Sequence, residues 1–187
     1  MIIMLYGLPV SGKSTLAKAL QEKGLGIIIK SVLTRDPRST KKFTTASIDE
    51  TVEQTKKEKD ESYKKLFELA EQEINQGHNP ILDATFHKRY RRQWAYDLAK
   101  RLNQQLILIH CNWDDEQGIK AILEKRHEDN STKDNVLDTW EQYMTMKSQT
   151  EALTSEEHKN AVRFSLDKIE DVIRTIQSKE HDSQPGF

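Results

Sequence analysis

Behind a short apolar run, Ile2 to Tyr6, and ahead of a segment of helical period lies the sequence Gly7-Leu8-Pro9-Val10-Ser11-Gly12-Lys13-Ser14-Thr15. No other stretch of the chain restricts its fold so tightly. Glycine, four residues, then Gly-Lys-Ser between a strand and a helix describes a backbone that curls so that successive N–H groups converge on an anion. The helix starting near Lys13 adds the positive end of its dipole at the same point. On this reading Gly7, Leu8, Pro9, Val10, Ser11, Gly12, Lys13, Ser14 and Thr15 cradle the phosphates of a nucleoside triphosphate. Lys13 reaches the β- and γ-phosphates, and the Ser14 hydroxyl ligates Mg²⁺.

The rest of the chain fits the frame such a loop needs. Apolar runs bounded by Gly, Pro or Asn alternate with longer polar segments of helical period, which is the pattern of a parallel sheet covered by helices. The expected strands are 2–6, 26–30, 80–84, 105–111 and 162–166, and the expected helices 13–23, 49–76, 88–103, 115–126, 136–150 and 169–178. The charged run Lys56 to Glu61 reads as a solvated helix face or flap. With 187 residues there is room for one domain, placed at 1–180, with 181–187 as a frayed tail. No apolar stretch approaches the roughly 18 residues of a membrane span. The single cysteine, Cys111, forms no internal disulfide, so a reducing, cytoplasmic setting is expected. His110 and Cys111 are adjacent on a strand and point to opposite faces, which makes a shared metal site poor.

Four further groups carry candidate chemistry. Asp83 ends the third strand, on the side where open α/β sheets bind ligands, and is expected either to orient Mg²⁺ or its waters or to hold a cation near an acceptor. Arg126 ends the helix after the fourth strand and precedes a polar, lid-like segment. It either neutralises charge on a transferring phosphoryl group or merely complements the helix dipole. The third group, Lys88, Arg89, Arg91 and Arg92, crowds positive charge at a helix start, against the dipole, which calls for a nearby anion; Arg92 is the candidate substrate contact. The fourth follows the second strand: Arg35 and Arg38, with Pro37 between them, form a two-pronged phosphate clamp, while Asp36 offers a base for a hydroxyl acceptor.

Taken together, Gly7 to Thr15, the stretch Leu82-Asp83-Ala84-Thr85-Phe86 with Arg92 nine positions beyond Asp83, and the Arg126 lid region resemble the P-loop kinases that include polynucleotide 5'-kinase and zeta-toxin-like proteins. The resemblance spans most of residues 1–150. It implies an α/β P-loop NTPase fold, a three-layer α/β/α sandwich with a five-stranded parallel sheet and a small helical lid. It also implies ATP with Mg²⁺ and phosphoryl transfer to a hydroxyl. The chain departs from those kinases after the second strand, where Val32 stands in place of the usual Asp. Residues Ser31 to Arg38 are instead similar to the acceptor-phosphate loop of guanylate kinases.

The expected activity is therefore an ATP-dependent phosphotransferase acting on a small-molecule, nucleotide or nucleic-acid acceptor, with Lys13, Asp36 and Arg126 as catalytic candidates. The alternative is a P-loop ATPase or a nucleotide-dependent binding module that makes no phosphorylated product. A net charge of −1 disfavours nucleic acid as the acceptor. No membrane partner is expected.

Overall fold

A computed structural model of the chain describes residues 1–31, 48–129 and 137–182. Its strands are β1 (Ile2–Tyr6), β2 (Ile27–Lys30), β3 (Pro80–Asp83), β4 (Leu106–Cys111) and β5 (Val162–Phe164). They pair in parallel throughout, in the order β2-β3-β1-β4-β5. The helices are α1 (Lys13–Glu22), α2 (Glu53–Asn75), α3 (Arg89–Arg101), α4 (Glu116–Asp129), α5 (Trp140–Ser148), α6 (Ser155–Asn160) and α7 (Ile169–Asp182).

The central strand explains why its sequence is apolar at every position. Ile2, Met4 and Tyr6 face one way, into a core with Tyr63, Leu66, Phe67 and Ala70 of α2 and Ala95, Leu98 and Ala99 of α3. Ile3 and Leu5 face the other way, onto Leu16, Ala17 and Leu20 of α1 and Val172, Ile173 and Ile176 of α7. A strand buried on both faces has no polar phase to show. The result is helix, sheet, helix: an α/β/α sandwich of the P-loop NTPase type.

Strand order places the ligand side. From β1 the chain crosses to β2 at one edge, returns to insert β3 beside β1, and then passes to β4 on the other side of β1. The C-terminal ends of β1 and β3 thus flank a reversal in the winding, the place where open sheets form a crevice. Residues 7–15 leave β1 there, and Asp83 closes β3 next to it.

A third, smaller apolar cluster forms the lid. Ile119 and Leu123 of α4 pack with Leu137, with Tyr143 and Met146 of α5, and with Ile48; Leu8, Val10, Trp113 and Trp140 lie against them. The lid helices are therefore seated partly on the tip of the phosphate loop itself.

Several boundaries moved for identifiable reasons. Strand β2 starts after Gly26, whose position leaves no room for a Cβ beside the Asn79 carbonyl. Helix α5 starts at Trp140 because Thr139 caps it, accepting from the Gln142 N–H. Helix α4 runs on to Asp129, and α7 continues to Asp182, into the stretch expected to fray. Helix α6 was not expected, although Thr154 and Glu157 form a reciprocal capping box whose spacing is visible in the sequence. Among the described residues no helix is long and apolar enough to cross a membrane.

Candidate active site

The cradle is held open by two glycines that could be nothing else. Gly7 (φ +155°) donates its N–H to the Thr85 carbonyl at 3.2 Å, and a Cβ there would run into the Cys111 carbonyl oxygen. Gly12 (φ +83°) precedes α1, and a Cβ on it would stand 2.9 Å from Leu166 Cδ2. Between them the Ser11 N–H donates to the Leu8 carbonyl at 3.3 Å.

Lys13 Nζ is folded back into this loop. It donates to the Leu8 carbonyl at 2.6 Å and to Ser11 Oγ at 3.4 Å. Burial pushes its pKa below the ordinary lysine value, with Cys111 and Asp83 working against that push and the charge of Arg126 adding to it. An ammonium that is desolvated and close to a second cation gains from meeting an anion.

Ser14 Oγ donates to Asp83 Oδ2 at 2.8 Å, and Asp83 is 8% exposed. Two hard oxygens, one from the first turn of α1 and one from the end of β3, thus meet beside the cradle. Among the described residues no group of three or more His, Cys, Asp or Glu side chains could hold a metal ion by itself. This donor set suits Mg²⁺, which keeps most of its waters and takes one or two protein oxygens plus the oxygens of its phosphate ligand.

Arg126 is half-buried on α4, near enough to Lys13 for its charge to be felt there, and burial lowers its pKa. Among the described residues it has no hydrogen bond or ion pair. Its neighbour His127, by contrast, turns to Asp138 at 3.2 Å on the surface. Cys111, whose thiol is pushed up to about 12 by burial, is structural.

The basic group at the start of α3 requires a correction. Arg92 is not available to a substrate. It is fully buried, and its guanidinium donates to Glu157 Oε1 (2.8 Å) and Oε2 (3.2 Å) and to the carbonyls of Phe86, Glu151 and Ala152 at 3.0–3.1 Å. It also lies over the Tyr6 ring. All five of its donors are spent inside the fold. Arg91 is equally buried and grips Glu50 with two donors, at 3.0 and 2.5 Å, and Asp60 with a third, at 2.9 Å. Lys88 pairs with Glu151. The anions that this positive cluster calls for are the protein's own carboxylates.

Sequence reasoning missed the acidic half of that arrangement. Glu50 Oε1 lies 3.1 Å from Lys59 Nζ and 2.7 Å from His87 Nε2, so its carboxylate is ringed by three cationic or basic groups. Burial raises the Glu50 pKa, but His87, Arg91 and Lys59 outweigh it and hold the carboxyl well below the usual range. Lys59 and Asp60 belong to the run read as a solvated face; both instead turn inward onto this cluster. His87 Nδ1 continues the network to Thr85 Oγ1 at 3.0 Å, beside the strand end that carries Asp83. The spacing signal for such a cluster is absent, because its members come from four separate segments.

Leu166 was not singled out by the sequence. It follows β5, lies against Gly12 and is 49% exposed, an apolar side chain left open at the rim of the cradle. Arg35, Asp36 and Arg38, the expected acceptor-side residues, lie outside the described residues.

The fold and cradle define a P-loop nucleotide-binding α/β protein. Residues 2–153 match the family described as an AAA domain, and the chain belongs to that family. No curated protein matches the sequence. Among solved structures it is similar to Chaetomium thermophilum Kti12 in complex with ADP-AlF3, at 16% identity and a TM-score of 0.69, with all of both chains covered. It is similar to Mycobacterium tuberculosis APS kinase in complex with AMPPNP and APS, at 16% identity and a TM-score of 0.63 over 96% of each chain. It is similar as well to a gluconokinase from Sinorhizobium meliloti, at 14% identity and a TM-score of 0.63 over 97% of each chain. At these identities the likeness establishes a shared fold.

Proposed function

We propose that this chain is an ATP- and Mg²⁺-dependent phosphotransferase that moves the γ-phosphate to a small-molecule or nucleotide acceptor. The observation that carries this reading is Arg126: a half-buried arginine without a described partner, within electrostatic reach of the cradle lysine. A second, desolvated cation at the phosphate end suits the charge that develops when a phosphoryl group moves. Two of the similar structures are kinases by name, and the nucleotide analogues in the APS kinase and Kti12 structures support ATP as the ligand.

In this reading the backbone amides of residues 7–15 orient the phosphate tail, and the Lys13 ammonium, which has three donors, contacts the β- and γ-phosphates. Ser14 and Asp83 would hold Mg²⁺, which supplies charge neutralisation at the bridging oxygens. Arg126 neutralises charge that develops on the moving phosphoryl group. The open face of Leu166, beside Gly12, offers an apolar shelf for a nucleobase. On the acceptor side we assign Asp36 the proton of a hydroxyl acceptor and Arg35 and Arg38 the charge of a phosphorylated one.

A screen of radiolabelled γ-phosphate transfer across sugars, nucleosides, nucleotides and oligonucleotides tests the proposal. Transfer to some acceptor, lowered about 10²- to 10³-fold by Lys13→Ala with the fold intact, is expected. Hydrolysis of ATP with no labelled acceptor would instead make the chain an ATPase or switch. Selective loss with Asp36→Asn indicates a hydroxyl acceptor; selective loss with Arg38→Ala indicates a phosphorylated one.

A further inference from the structure

Beyond Asp83 the chain continues as Ala84-Thr85-Phe86-His87, and its polar groups join Tyr63 and Glu50 in one series of contacts. The Phe86 N–H donates to Tyr63 Oη at 3.0 Å, Tyr63 Oη lies 3.3 Å from Thr85 Oγ1, and Thr85 Oγ1 lies 3.0 Å from His87 Nδ1. His87 Nε2 in turn stands 2.7 Å from Glu50 Oε1. The contact is short but poorly aligned, and among the described residues Nε2 is the one buried side-chain polar atom without a well-directed hydrogen-bond partner.

The protons of this series have one consistent arrangement. A bare ring nitrogen and a carboxylate oxygen would repel each other at 2.7 Å, so Nε2 carries the ring hydrogen. In the neutral imidazole Nδ1 is then bare and accepts, which makes the Thr85 hydroxyl the donor to it. Tyr63, having taken the Phe86 N–H, gives its own hydrogen to Thr85. Thr85 Oγ1 thus donates once and accepts once, and one lone pair remains for a further donor.

The open member of the series is also the one placed beside the cradle. Tyr63, His87 and Glu50 are buried, whereas Thr85 is half-buried. Its carbonyl accepts the Gly7 N–H at 3.2 Å, so it borders the first residue of the phosphate loop. Strand β3 lies between β1, which opens into the cradle, and β2, whose continuation in sequence carries Asp36. Carboxylate, imidazole and hydroxyl in series, with the hydroxyl at the accessible end, is the arrangement that draws a proton away from an oxygen. We propose, resting on the phosphotransferase reading above and narrowing its account of the proton, that a hydroxyl acceptor passes its proton through Thr85 to His87, with Asp36 left to orient the hydroxyl.

As the acceptor oxygen bonds to the γ-phosphorus and the bond to the departing ADP oxygen breaks, the acceptor proton moves to Thr85 Oγ1 and the Thr85 proton to His87 Nδ1. The imidazolium faces the Glu50 carboxylate; after product release its proton returns to water by the same path. Burial, foremost, and the charges of Lys59 and Arg91 push the His87 pKa below the ordinary 6.5, with Glu50 resisting, so the ring is neutral and able to receive at neutral pH. Asp60 and Tyr90 bear on it only through Arg91, and the Lys88–Glu151 pair adjoins its backbone.

Two measurements test this. Nitrogen-15 NMR of the histidine rings in the ligand-free protein, with His87 identified by the signals lost in His87→Gln or shifted in Thr85→Ser, is expected to show the neutral Nε2–H tautomer at neutral pH. A ring protonated on Nδ1 reverses the series and overturns the proposal. Single-turnover transfer to the sugar or nucleoside that accepts label is then followed against pH. The parent should lose rate as the pH falls below 6.5, as His87 takes up a proton. His87→Gln and Thr85→Val should each lower kcat about 10²- to 10⁴-fold with KM little changed, and His87→Gln should lack the acid fall. Thr85→Ser should recover most of the rate, and Asp36→Asn should keep the acid fall. A purely structural His87 would shift the melting temperature and leave the acid fall in place, which overturns the proposal, as does full transfer by Thr85→Val. If His87→Gln does not fold, Thr85→Val against Thr85→Ser decides. No transfer by the parent to any hydroxyl removes the phosphotransferase reading along with the relay, whereas normal transfer in the variants removes the relay alone.

Discussion

Ser14 donates its hydroxyl hydrogen to Asp83 Oδ2 across 2.8 Å, which fastens the first turn of α1 to the end of β3. Both oxygens are then already aimed at one place before any ligand arrives. Asp83→Asn preserves the shape and removes the charge, while Ser14→Ala removes the hydroxyl. Each is expected to raise the Mg²⁺ concentration for half-maximal ATP turnover about 10- to 100-fold, the range seen when ligand-positioning partners are removed. A Mg²⁺ titration of steady-state turnover measures it; an unchanged midpoint would separate this pair from the metal.

Arg126 should matter to rate and hardly to stability. Because no carboxylate among the described residues depends on it, Arg126→Ala leaves no buried charge orphaned and should melt within a degree or two of the parent. Transfer in a single turnover should fall about 10³- to 10⁵-fold, as it does where an arginine supports phosphoryl transfer. Arg126→Lys should recover only part, since a point charge replaces a fork. A variant that melts early yet transfers normally would reassign Arg126 to the scaffold.

Arg92 should behave in the opposite way. Removing it strands the Glu157 carboxylate and three carbonyls that it serves, so Arg92→Ala should cost about 3–5 kcal/mol in urea unfolding. Glu157→Gln, which keeps the shape, should cost less. Neither should alter the acceptor KM of the molecules that stay folded. A raised KM at normal stability would return Arg92 to the substrate.

Glu50 sets an acid limit. Its carboxyl is held below the ordinary glutamate value of 4.5 in the folded chain, so the stabilisation is complete above that pH and is lost progressively as the pH falls beneath it. Melting temperature should therefore decline more steeply below about pH 4.5 in the parent than in Glu50→Gln, which lacks the titrating proton but is less stable at neutral pH. Parallel curves for the two proteins would disprove the linkage.

These contrasts also show what a sequence discloses. The cradle was legible because its chemistry is local: nine consecutive residues supply the turn, the amides, the lysine and the hydroxyl. Continuous apolar runs such as Ile2 to Tyr6 announced strands buried on both faces, and the sheet followed. Asp83 could be placed because a strand end is a position with a known direction. Arg92 misled for a physical reason: one-dimensional reading shows an excess of positive charge, but its compensating anion, Glu157, is 65 residues away. Glu50, Lys59 and His87 were opaque for the same reason. Helix α6 was legible in principle, through Thr154 and Glu157, and was obscured by its six-residue length.

The close fit of Gly7 beneath the Cys111 carbonyl has a consequence for anyone who would redesign this protein. The floor of the crevice is welded to the central strands, with no space for even a methyl group, so variation there is binary: glycine or failure. The rim around Leu166 has slack, and new ligand preferences have to be engineered from that edge inward.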